Sequence, residues 1–515
     1  MRQLSGTDSL FLRLERGNQY MHVAGLGIYD PSTAPAGRVR FKDVLRFFQA
    51  RLDSLPLFRR RLVTVPLGLD RPYWIEDPDI DVEFHVRHIA LPQPGDWRQL
   101  CIQVARIHSR PLDRSKPLWE AYVIEGLDHI PGLPAGSFAL YLKIHHCAVD
   151  GEAGTELIRA IHSTLAEDFS EPAARVRRYK DRMPTAPELY LRAVARGVSR
   201  VPGLVRLSAE TAARVAGAGT AVPGGLSSLL GQQEGPTVAR LAEALRKPPA
   251  TRFTGNVSAH RVVEVVDLPL AGFKTIRASI PEATINDLFM TTVGGALRRY
   301  LADKGELPAA TLTCMVPMSF RGPDKAADVG NQIGMAVMPL HTELHDPVDR
   351  LQEIRRGAAK AKAFNEVVGR DLAARLFEVL PDAASELATR RLVLPQMSVV
   401  VSNVRGPDVP LFMAGARLVS FAPVSIAFDG LGLNVTGFSY HGTLWICAVA
   451  CRDMLPDPAF FAECLRVSFT ELERAAAAAA TTNAAASTQF APPKAVRRRS
   501  RGASNAPSTR RRRAT

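Results

Sequence analysis

The most informative segment of this chain reads FALYLKIHHCAVDG and runs from Phe138 to Gly151. Residues 138–146 predict a β-strand, in which successive side chains point to opposite faces of a sheet. One face then carries Phe138, Leu140, Leu142, Ile144 and His146, and the other carries Ala139, Tyr141, Lys143 and His145. We therefore expect His146 to continue an apolar, buried stripe at the end of the strand.

His146 has the position of a general base. A buried imidazole stays neutral near pH 7, and the unperturbed pKa of imidazole, about 6.5, suits proton transfer at neutral pH. Asp150 follows at a turn, where it can orient the strand end or an imidazole, and Gly151 gives that turn backbone freedom before a helix. The alternative is a core histidine without chemistry. His145 either orients the loop or only packs.

The six cysteines are scattered and lack the Cys-x-x-Cys or His/Cys spacing of a zinc site. They indicate reduced core residues, and no metal is expected. Cys147 adjoins His146, but neighbouring residues of a strand point to opposite faces, which argues against a catalytic Cys/His dyad.

Length and composition indicate two large folded units. The chain has 515 residues, of which 46% are hydrophobic and 23% are charged, as in globular proteins. Changes in pattern along the sequence predict an N-terminal lobe at 1–170, a partly helical linker at 171–258, a C-terminal lobe at 259–474 and a disordered Ala-rich and Arg-rich tail at 475–515. Each lobe mixes strands with helices, so the fold class is α/β or α+β. In the C-terminal lobe, the spacing of Phe289, Val293, Leu297 and Leu301 predicts a helix with one apolar stripe, and residues 433–451 predict a hairpin that turns at His441-Gly442.

The excess positive charge lies in the tail. Nine Lys and Arg residues occur from Lys494 to Arg513, and no acidic residue follows Arg474. Subtracting these nine from the net charge of +14 leaves about +5 for the rest of the chain. The sequence has neither the pattern of a signal peptide nor an apolar run of membrane-spanning length, so neither feature is expected.

A second basic segment lies in the linker. Between Leu189 and Ala209, Arg192, Arg196 and Arg200 recur every four residues, with apolar residues between them and no acid. This pattern is typical of a basic amphipathic helix at a membrane surface. It also fits an ordinary connecting helix with a solvated arginine face, and Gly197 and Pro202 favour this second interpretation because they weaken a long helix.

Several motifs together resemble one family. His145-His146-x-x-x-Asp150-Gly151 resembles the HHxxxDG motif of the acyl-CoA-dependent acyltransferase superfamily, which includes chloramphenicol acetyltransferase and peptide-synthetase condensation domains. Pro117-Leu118-Trp119, which opens PLWEAYVIEGL, resembles the PLW…GL signature of the bacterial wax ester synthase/diacylglycerol acyltransferase family. Asn286-Asp287 resembles that family's ND motif. Similar elements occur in family order from residue 4 to about 455, and they include Leu4-Ser5…Asp8…Phe11-Leu12, Gly330-Asn331 and the hairpin that begins Leu433-Asn434-Val435-Thr436.

The resemblance implies both fold and chemistry. It implies two lobes like chloramphenicol acetyltransferase around a central tunnel, and acyl transfer from a long-chain acyl-CoA without a covalent enzyme intermediate. The acceptor would be diacylglycerol, giving triacylglycerol, or a long-chain alcohol, giving a wax ester. Acyl-CoA is then a substrate, and no cofactor is expected. Such an enzyme would be cytoplasmic and in peripheral contact with an anionic membrane or lipid-droplet surface.

The resemblance also implies roles for the motif residues. His146 would be the general base, and Asp150 and Gly151 would hold the motif loop. Asn286 and Asp287 would support the site from the second lobe, although Thr284 and Asp287 also have the spacing of a helix capping box. Pro117, Leu118 and Trp119 would shape the first lobe.

Two other functions compete with this one. A condensation-type reaction would keep the fold but use an amine acceptor or a carrier-protein thioester, and no carrier domain is apparent in the sequence. A nucleic-acid-binding protein would act through the arginine-rich tail, but the sequence has no zinc finger, helix-turn-helix or aromatic-interleaved basic pattern that would read bases.

Overall fold

The structure is a computed structural model that describes residues 1–53, 55–149, 151–166, 181–221, 247–280, 282–319, 333–368 and 372–489. Asp150, the Gly330-Asn331 pair and the basic tail from residue 490 onward lie outside these ranges. None of the helices in the described ranges combines the length and apolar character needed to cross a membrane.

The first lobe is built on a six-stranded mixed sheet. Its strands are β2 (His22–Asp30), β5 (Val86–Ala90), β6 (Trp119–Glu125), β7 (Phe138–His145), β12 (Phe412–Met413) and β13 (Ala416–Val424). They are ordered β12-β13-β2-β7-β6-β5. A smaller sheet beside it has the order β1-β4-β3 and is formed by β1 (Arg2–Gln3), β3 (Arg60–Val63) and β4 (Tyr73–Glu76).

Strand β7 is central in that sheet and buried along its whole length. The predicted alternation is confirmed, because Phe138 and Leu140 pack in one core cluster while Ala139 and Tyr141 pack in another. The prediction that the strand reaches residue 146 is wrong. The strand ends at His145, and a 3₁₀ turn, His146–Ala148, begins there. His146 therefore leaves the strand rather than extending its apolar face.

The second lobe contains another six-stranded sheet. Its strands are β8 (Arg261–Pro269), β9 (Thr313–Ser319), β10 (Ile333–Pro339), β11 (Val399–Arg405), β14 (Leu433–Tyr440) and β15 (Thr443–Cys451), and their order is β10-β9-β11-β14-β15-β8. The β14–β15 hairpin turns at His441 and Gly442, as the sequence predicts. Both residues have positive φ, 44° and 86°, as a two-residue type I′ turn requires.

Twelve helices with bounds in the described ranges surround these sheets. They are α1 (Gly6–Leu14), α2 (Phe41–Arg51), α3 (Val82–His85), α4 (Trp97–His108), α5 (Gly151–Ala160), α6 (Ala186–Ala221), α7 (Leu270–Ser279), α8 (Ile285–Asp303), α9 (Pro347–Val368), α10 (Leu372–Val379), α11 (Asp382–Ala388) and α12 (Pro458–Gln489). Helix α8 packs on α12. The predicted apolar stripe of α8, from Phe289 to Leu301, is buried. The mixed α/β architecture with two sheet-rich lobes is thus confirmed.

One strand from the C-terminal half of the chain belongs to the sheet of the first lobe. Strand β13 belongs by sequence to the second lobe, but it pairs antiparallel with β2 of the first, from Arg417 opposite Asp30 to Val424 opposite Ala24. A division at 1–170 and 259–474 therefore does not match the sheets. The alternating burial of β13 marks it as a strand, but alternation does not specify the partner sheet.

Helix α12 corrects the prediction of disorder from residue 475. The helix continues through the six alanines, Ala475–Ala480, to Gln489. Alanine has the highest helix propensity, and the preceding turns are already packed, so extending this helix needs no new nucleation.

Acid should destabilise this fold through its buried histidines. His162 is fully enclosed, with Nε2 2.8 Å from the Tyr29 hydroxyl and Nδ1 2.7 Å from the Ile158 carbonyl oxygen. Burial lowers its pKa from 6.5 to about 4. The stability from this depressed pKa is present above pH 6.5 and is lost as pH falls through about 4.

We predict that His162→Asn flattens the pH dependence of the free energy of unfolding in that window by roughly 3 kcal/mol. Urea unfolding at several pH values measures this quantity. The exposed His260→Asn variant is the control and should keep the wild-type slope. An unaltered slope in His162→Asn would contradict the assignment.

Candidate active site

His145 is fixed at both ring nitrogens. The backbone N–H of Cys147 donates to Nδ1 at 3.1 Å, so this nitrogen carries no proton. Nε2 carries the proton and donates to Glu15 Oε2 at 2.7 Å. The side chain is 1% exposed, and its pKa is lowered by burial despite the Glu15 carboxylate beside it. His145 is therefore a neutral imidazole whose ring nitrogens are both hydrogen-bonded, one to the backbone of the turn and one to Glu15.

Glu15 connects the turn to the rest of the first lobe. Besides His145, its Oε2 accepts the backbone N–H of Met21 at 3.1 Å, and its Oε1 lies 3.2 Å from Arg114 Nη2. Burial alone raises the pKa of this carboxyl, but the hydrogen bond and charge of His145, with Arg114 and Met21, outweigh burial and lower it. Glu15 is thus ionised, and each of its two carboxylate oxygens contacts a donor of the first lobe.

His146 differs from its neighbour. Its ring is half-buried and stacks on Phe11 of α1, with centroids 4.0 Å apart and planes inclined by 15°. Its backbone N–H donates to the Met21 carbonyl oxygen at 2.7 Å. The two histidines of the motif are therefore held by one short segment, because Glu15, at the end of α1, accepts from His145 and Met21 accepts from the backbone of His146. His146 keeps partial access to solvent while His145 has almost none.

Cys147 is part of the core. It is 4% exposed and packs with Leu4, Leu12, Leu62 and Leu118. Burial raises the pKa of its thiol well above the usual value. Both facts oppose a thiolate nucleophile. All six cysteines are buried and form no disulfide. The described residues contain no group of three or more His, Cys, Asp or Glu side chains that could hold a metal ion.

The Pro117-Leu118-Trp119 segment supports the histidine turn from β6. The Leu118 carbonyl oxygen accepts the backbone N–H of His145 at 3.0 Å, and the Leu118 side chain packs on Cys147. Trp119 is fully buried, donates its Nε1–H to the Phe58 carbonyl oxygen and stacks on His85. The structure thus brings this segment together with His145.

Asn286 and Asp287 lie at the start of α8. Asp287 Oδ2 accepts the backbone N–H and the hydroxyl of Thr284 at 2.8 and 2.7 Å, and its own N–H donates to Thr284 Oγ1. This is the capping box that the sequence suggests. Asn286 Nδ2 lies 3.6 Å from Met290 Sδ. These contacts of both side chains stay within α8 and its cap.

Polar contacts join the lobes close to the motif. Gln19 and Asp429 exchange two hydrogen bonds, at 2.7 and 3.3 Å. His108 accepts the Tyr141 hydroxyl at Nδ1 and donates from Nε2 to the Ser425 carbonyl oxygen at 2.9 Å. Asn434, in the hairpin that resembles the family, donates to Ser425 Oγ. The histidine turn therefore lies on a junction fixed from both lobes.

An apolar cluster fills the same junction. Leu10 and Leu14 of α1 and Met21 pack against Val400, Ile426, Phe428 and Leu431 of the second lobe, and Phe11 packs against this cluster. Helix α1, whose Phe11 stacks on His146, therefore packs between the two lobes.

Sequence reasoning missed Glu15, Arg114 and the role of Phe11. Phe11 stands in the N-terminal element that resembles the family, but its stacking on His146 depends on two segments 135 positions apart. Glu15 and Arg114 carry no motif of their own. Only the folded arrangement identifies them.

Two lobes of mixed sheet and helix with a histidine turn at their junction are the architecture that the HHxxxDG resemblance implies. Sequence models of one family cover most of the chain: "Wax ester synthase/diacylglycerol acyltransferase catalytic domain" matches residues 4–289, and "WS/DGAT C-terminal domain" matches residues 329–473. The chain belongs to the wax ester synthase/diacylglycerol acyltransferase family and is an O-acyltransferase.

Similar proteins agree with this assignment. The O-acyltransferase WSD of Acinetobacter baylyi is 32% identical over 469 residues, covering 88% of this chain and 93% of the relative. A Mycobacterium tuberculosis protein named as a diacylglycerol O-acyltransferase is 33% identical and covers 92% of this chain and 100% of its own. The solved wax ester synthase/diacylglycerol acyltransferase of Marinobacter aquaeolei has a TM-score of 0.63 and 27% identity, covering 93% of this chain and 100% of that one.

A condensation domain of the calcium-dependent antibiotic synthetase shares the fold. Its TM-score is 0.55 and its identity is 15%, with 93% of this chain and 97% of that chain covered. At this identity the similarity concerns architecture alone.

We predict that Glu15→Ala destabilises the chain, because the His145 Nε2–H and the Met21 N–H lose a buried acceptor. Each unsatisfied group costs about 1–3 kcal/mol. Glu15→Gln keeps an acceptor oxygen and is the matched control. Urea unfolding at neutral pH should rank wild type, Gln and Ala in decreasing order of stability.

The stability of the Glu15 variants should also depend on pH differently from that of wild type. Since the folded-state pKa of Glu15 is lowered, the stability its charge contributes is present above its usual value of 4.5 and is lost as pH falls through the folded-state pKa. The advantage of wild type over Glu15→Gln should shrink in acid. An advantage that grows below that pH would contradict the arrangement.

Proposed function

We propose that this enzyme transfers the acyl group of a long-chain acyl-CoA to the hydroxyl of diacylglycerol or a long-chain alcohol, with His146 as general base. The observation that carries the proposal is the division between the two histidines. Both ring nitrogens of His145 are used inside the protein, whereas His146 is half-buried at the lobe junction. The names of the relatives support the acyl acceptors.

The proposed reaction needs one base. The imidazole of His146 takes the proton of the acceptor hydroxyl as its oxygen attacks the thioester carbonyl carbon. The tetrahedral intermediate collapses, the carbon–sulfur bond breaks, and the imidazolium returns the proton to the leaving thiolate. The products are the ester and free coenzyme A. A cysteine nucleophile has no part in this sequence, in accordance with the buried thiol of Cys147.

The surrounding residues act by positioning. His145 is a positioning residue, because it fixes the turn through the Cys147 N–H and holds it on Glu15. Phe11 limits the orientation of the His146 ring by stacking. Gly151 begins α5, and we assign it and Asp150, which lies outside the described residues, to the same turn. Pro117, Leu118 and Trp119 support the turn from β6.

Asn286 and Asp287 are proposed as supporting residues of the second lobe. Their contribution is the placement of the first turn of α8, because the capping box fixes where this helix begins. Neither is proposed to take or give a proton.

Substrate chemistry completes the proposal. Long-chain acyl-CoA and a lipid alcohol meet in a passage between the lobes that reaches His146, and no resident cofactor takes part. Both lipids partition into membranes or droplets, so we place the enzyme on the cytoplasmic side, in peripheral contact with an anionic membrane or lipid-droplet surface.

We predict that His146→Ala lowers kcat for thiol release from palmitoyl-CoA by about 10²–10⁴-fold with a long-chain alcohol or diacylglycerol as acceptor. A thiol-reactive dye measures the release. Cys147→Ala is the neighbouring comparison and should stay within several-fold of wild type. Wild-type turnover in His146→Ala would overturn the mechanism. Release with an amine acceptor but with no alcohol would instead indicate the condensation-type reaction.

We also predict that Asp287→Ala lowers stability by about 1 kcal/mol through loss of the cap. If Asp287 acts by placing α8, Asp287→Asn, whose amide oxygen still accepts from Thr284, should recover most of both stability and kcat. Loss of kcat by more than 10²-fold in a fully stable Asp287→Asn variant would show a catalytic carboxylate instead.

A further inference from the structure

A basic cavity lies in the second lobe, apart from the histidine turn. Its volume is about 820 Å³, and it is lined by residues of α8, α9 and α12 and of the turn before α9. These three helices pack on one another. Among the described residues, none of the first lobe lines this cavity, whereas the histidine turn belongs to the junction of both lobes. The cavity is therefore separate from the proposed site of acyl transfer.

Arginines dominate the lining of this cavity. Its charged side chains are Arg298, Arg299, Arg350, Arg474, Asp303 and Glu471. Four positive charges less two negative charges leave +2, with His345 counted as neutral. Glu471 is paired with Arg299, and Asp303 lies 3.2 Å from Lys304, which does not line the cavity. Both acids are thus engaged, and the excess positive charge belongs to the other three arginines.

Arg350 is a buried cation without an acidic partner. It is 3% exposed, and its Nε and Nη2 donate to the carbonyl oxygens of His341, Leu344 and His345 at 3.3, 2.5 and 3.3 Å. These acceptors are neutral, and no carboxylate of the described residues lies within ion-pair distance of its guanidinium. Burial, and next the charge of Arg298, lower the pKa of Arg350 to about 10, so the group is still protonated at neutral pH. Buried charges are normally paired.

The third nitrogen of Arg350, Nη1, lies beside Gly295 in the cavity wall. A Cβ on Gly295 would come within 2.8 Å of this nitrogen, and a Cβ on Gly294 would come within 2.5 Å of the Leu340 carbonyl oxygen. Glycine inside a helix costs about 1 kcal/mol relative to alanine, so α8 is weakened where this guanidinium is accommodated. In the part of the chain that the structure describes, Nη1 has no hydrogen-bond acceptor. A buried donor of this kind calls for an acceptor.

Arg298 places a second guanidinium next to the first. Its Nη1 donates to the carbonyl oxygens of Thr342 and Glu343 at 2.9 and 3.1 Å. Both arginines are thus held by backbone oxygens of one turn, residues 341–345. Arg298 also has no carboxylate within ion-pair distance among the described residues. Two fixed positive charges therefore converge on one region of the cavity, and Arg474 adds an exposed third.

We propose that this cavity binds a soluble phosphate monoester at a site separate from the substrates of acyl transfer. A phosphate monoester carries a charge of about −1.5 to −2 near pH 7 on one group, which matches the net charge of +2 and the convergence of Arg298 and Arg350. Guanidinium groups bind phosphate oxygens through parallel N–H donors. This site goes beyond the proposed function and does not depend on it.

The rest of the cavity fits the organic part of such a molecule. A volume of about 820 Å³ lies within the range of about 300–1,000 Å³ for small-molecule sites, and one phosphate group fills only a small part of it. Phe460 and Pro347 supply apolar wall. A dicarboxylate would divide its two charges between separate groups, so the convergent arginines favour the monoester.

Titration calorimetry of the full chain with phenyl phosphate tests the site, above the second phosphate pKa of about 6. High salt screens the arginine-rich tail more than a buried arginine. We expect one site that binds phenyl phosphate more tightly than inorganic phosphate, and at least about tenfold more tightly than the singly charged phenyl sulfate. Failure of phenyl phosphate to bind, or tighter binding of the dicarboxylate phthalate, would overturn the proposal.

Variants assign the binding to this cavity. Arg350→Gln should lower the affinity for phenyl phosphate at least about tenfold. Because Arg350 also holds backbone carbonyls, two exposed positions of α12 keep the test valid if that variant does not fold. Arg474→Gln should weaken binding about threefold, and Glu471→Gln should strengthen it by about as much, because it releases Arg299. The matched control on the same helix is Arg466→Gln, outside the lining, which should bind as wild type does.

The outcomes separate this site from acyl transfer. Wild-type affinity in a folded Arg350→Gln variant overturns the proposal, as does a change of the same sign in Arg474→Gln and Glu471→Gln. Displacement of phenyl phosphate by coenzyme A but not by 3′-dephospho-coenzyme A would make the cavity part of the acyl-CoA site and reject a separate one. Arg474→Gln should release thiol from palmitoyl-CoA as wild type does, because it alters no residue of the proposed mechanism.

Discussion

The hydrogen bond between His145 and Glu15 is the constraint on which the site depends. A buried neutral imidazole carries one donor and one acceptor. In His145 the acceptor Nδ1 takes the backbone N–H of Cys147, and the donor Nε2–H reaches the carboxylate of Glu15 at the end of α1. Strand β7 ends at His145, one residue earlier than alternation suggests, and a 3₁₀ turn follows. Termination turns His146 out of the strand and onto Phe11. In the proposed mechanism His145 positions the turn, because both of its ring nitrogens are hydrogen-bonded within the protein, and His146 acts as the base.

Buried contacts between residues far apart in sequence also fix the junction of the lobes. Arg71 is 1% exposed and caps the end of α10, donating to the Glu378 carbonyl oxygen at 2.9 Å and to Asp382 Oδ1 at 2.9 Å. Ser9 of α1 donates to the same Asp382. At Gly6 a Cβ would lie 2.0 Å from the Phe377 carbonyl oxygen, so only glycine allows this approach. Together with strand β13, which joins the sheet of the first lobe, these contacts hold α1, and therefore the histidine turn, between both lobes.

Local patterns predicted much of this structure. The two-residue alternation of β7, the hairpin turn at His441-Gly442 and the stripe of α8 each depend on neighbours along the chain, and each is present. The partner sheet of β13 and the acceptor for His145 depend on residues far apart in sequence, and no local pattern specifies them. Helix α6 is a third case: its composition indicated an amphipathic helix, but its orientation depends on long-range contacts, the Arg200–Asp70 pair and the packing of Leu189 and Ala193 on the small sheet.

The division of labour between His145 and His146 is tested most directly by chemical rescue. Replacing each in turn with glycine leaves a space, and added imidazole can replace a missing base but cannot restore a side chain that anchors a backbone turn. We predict that imidazole restores part of the thiol release from palmitoyl-CoA in His146→Gly and none in His145→Gly. Rescue of His145→Gly alone, or wild-type turnover in His146→Gly without imidazole, would contradict the assignment of the base.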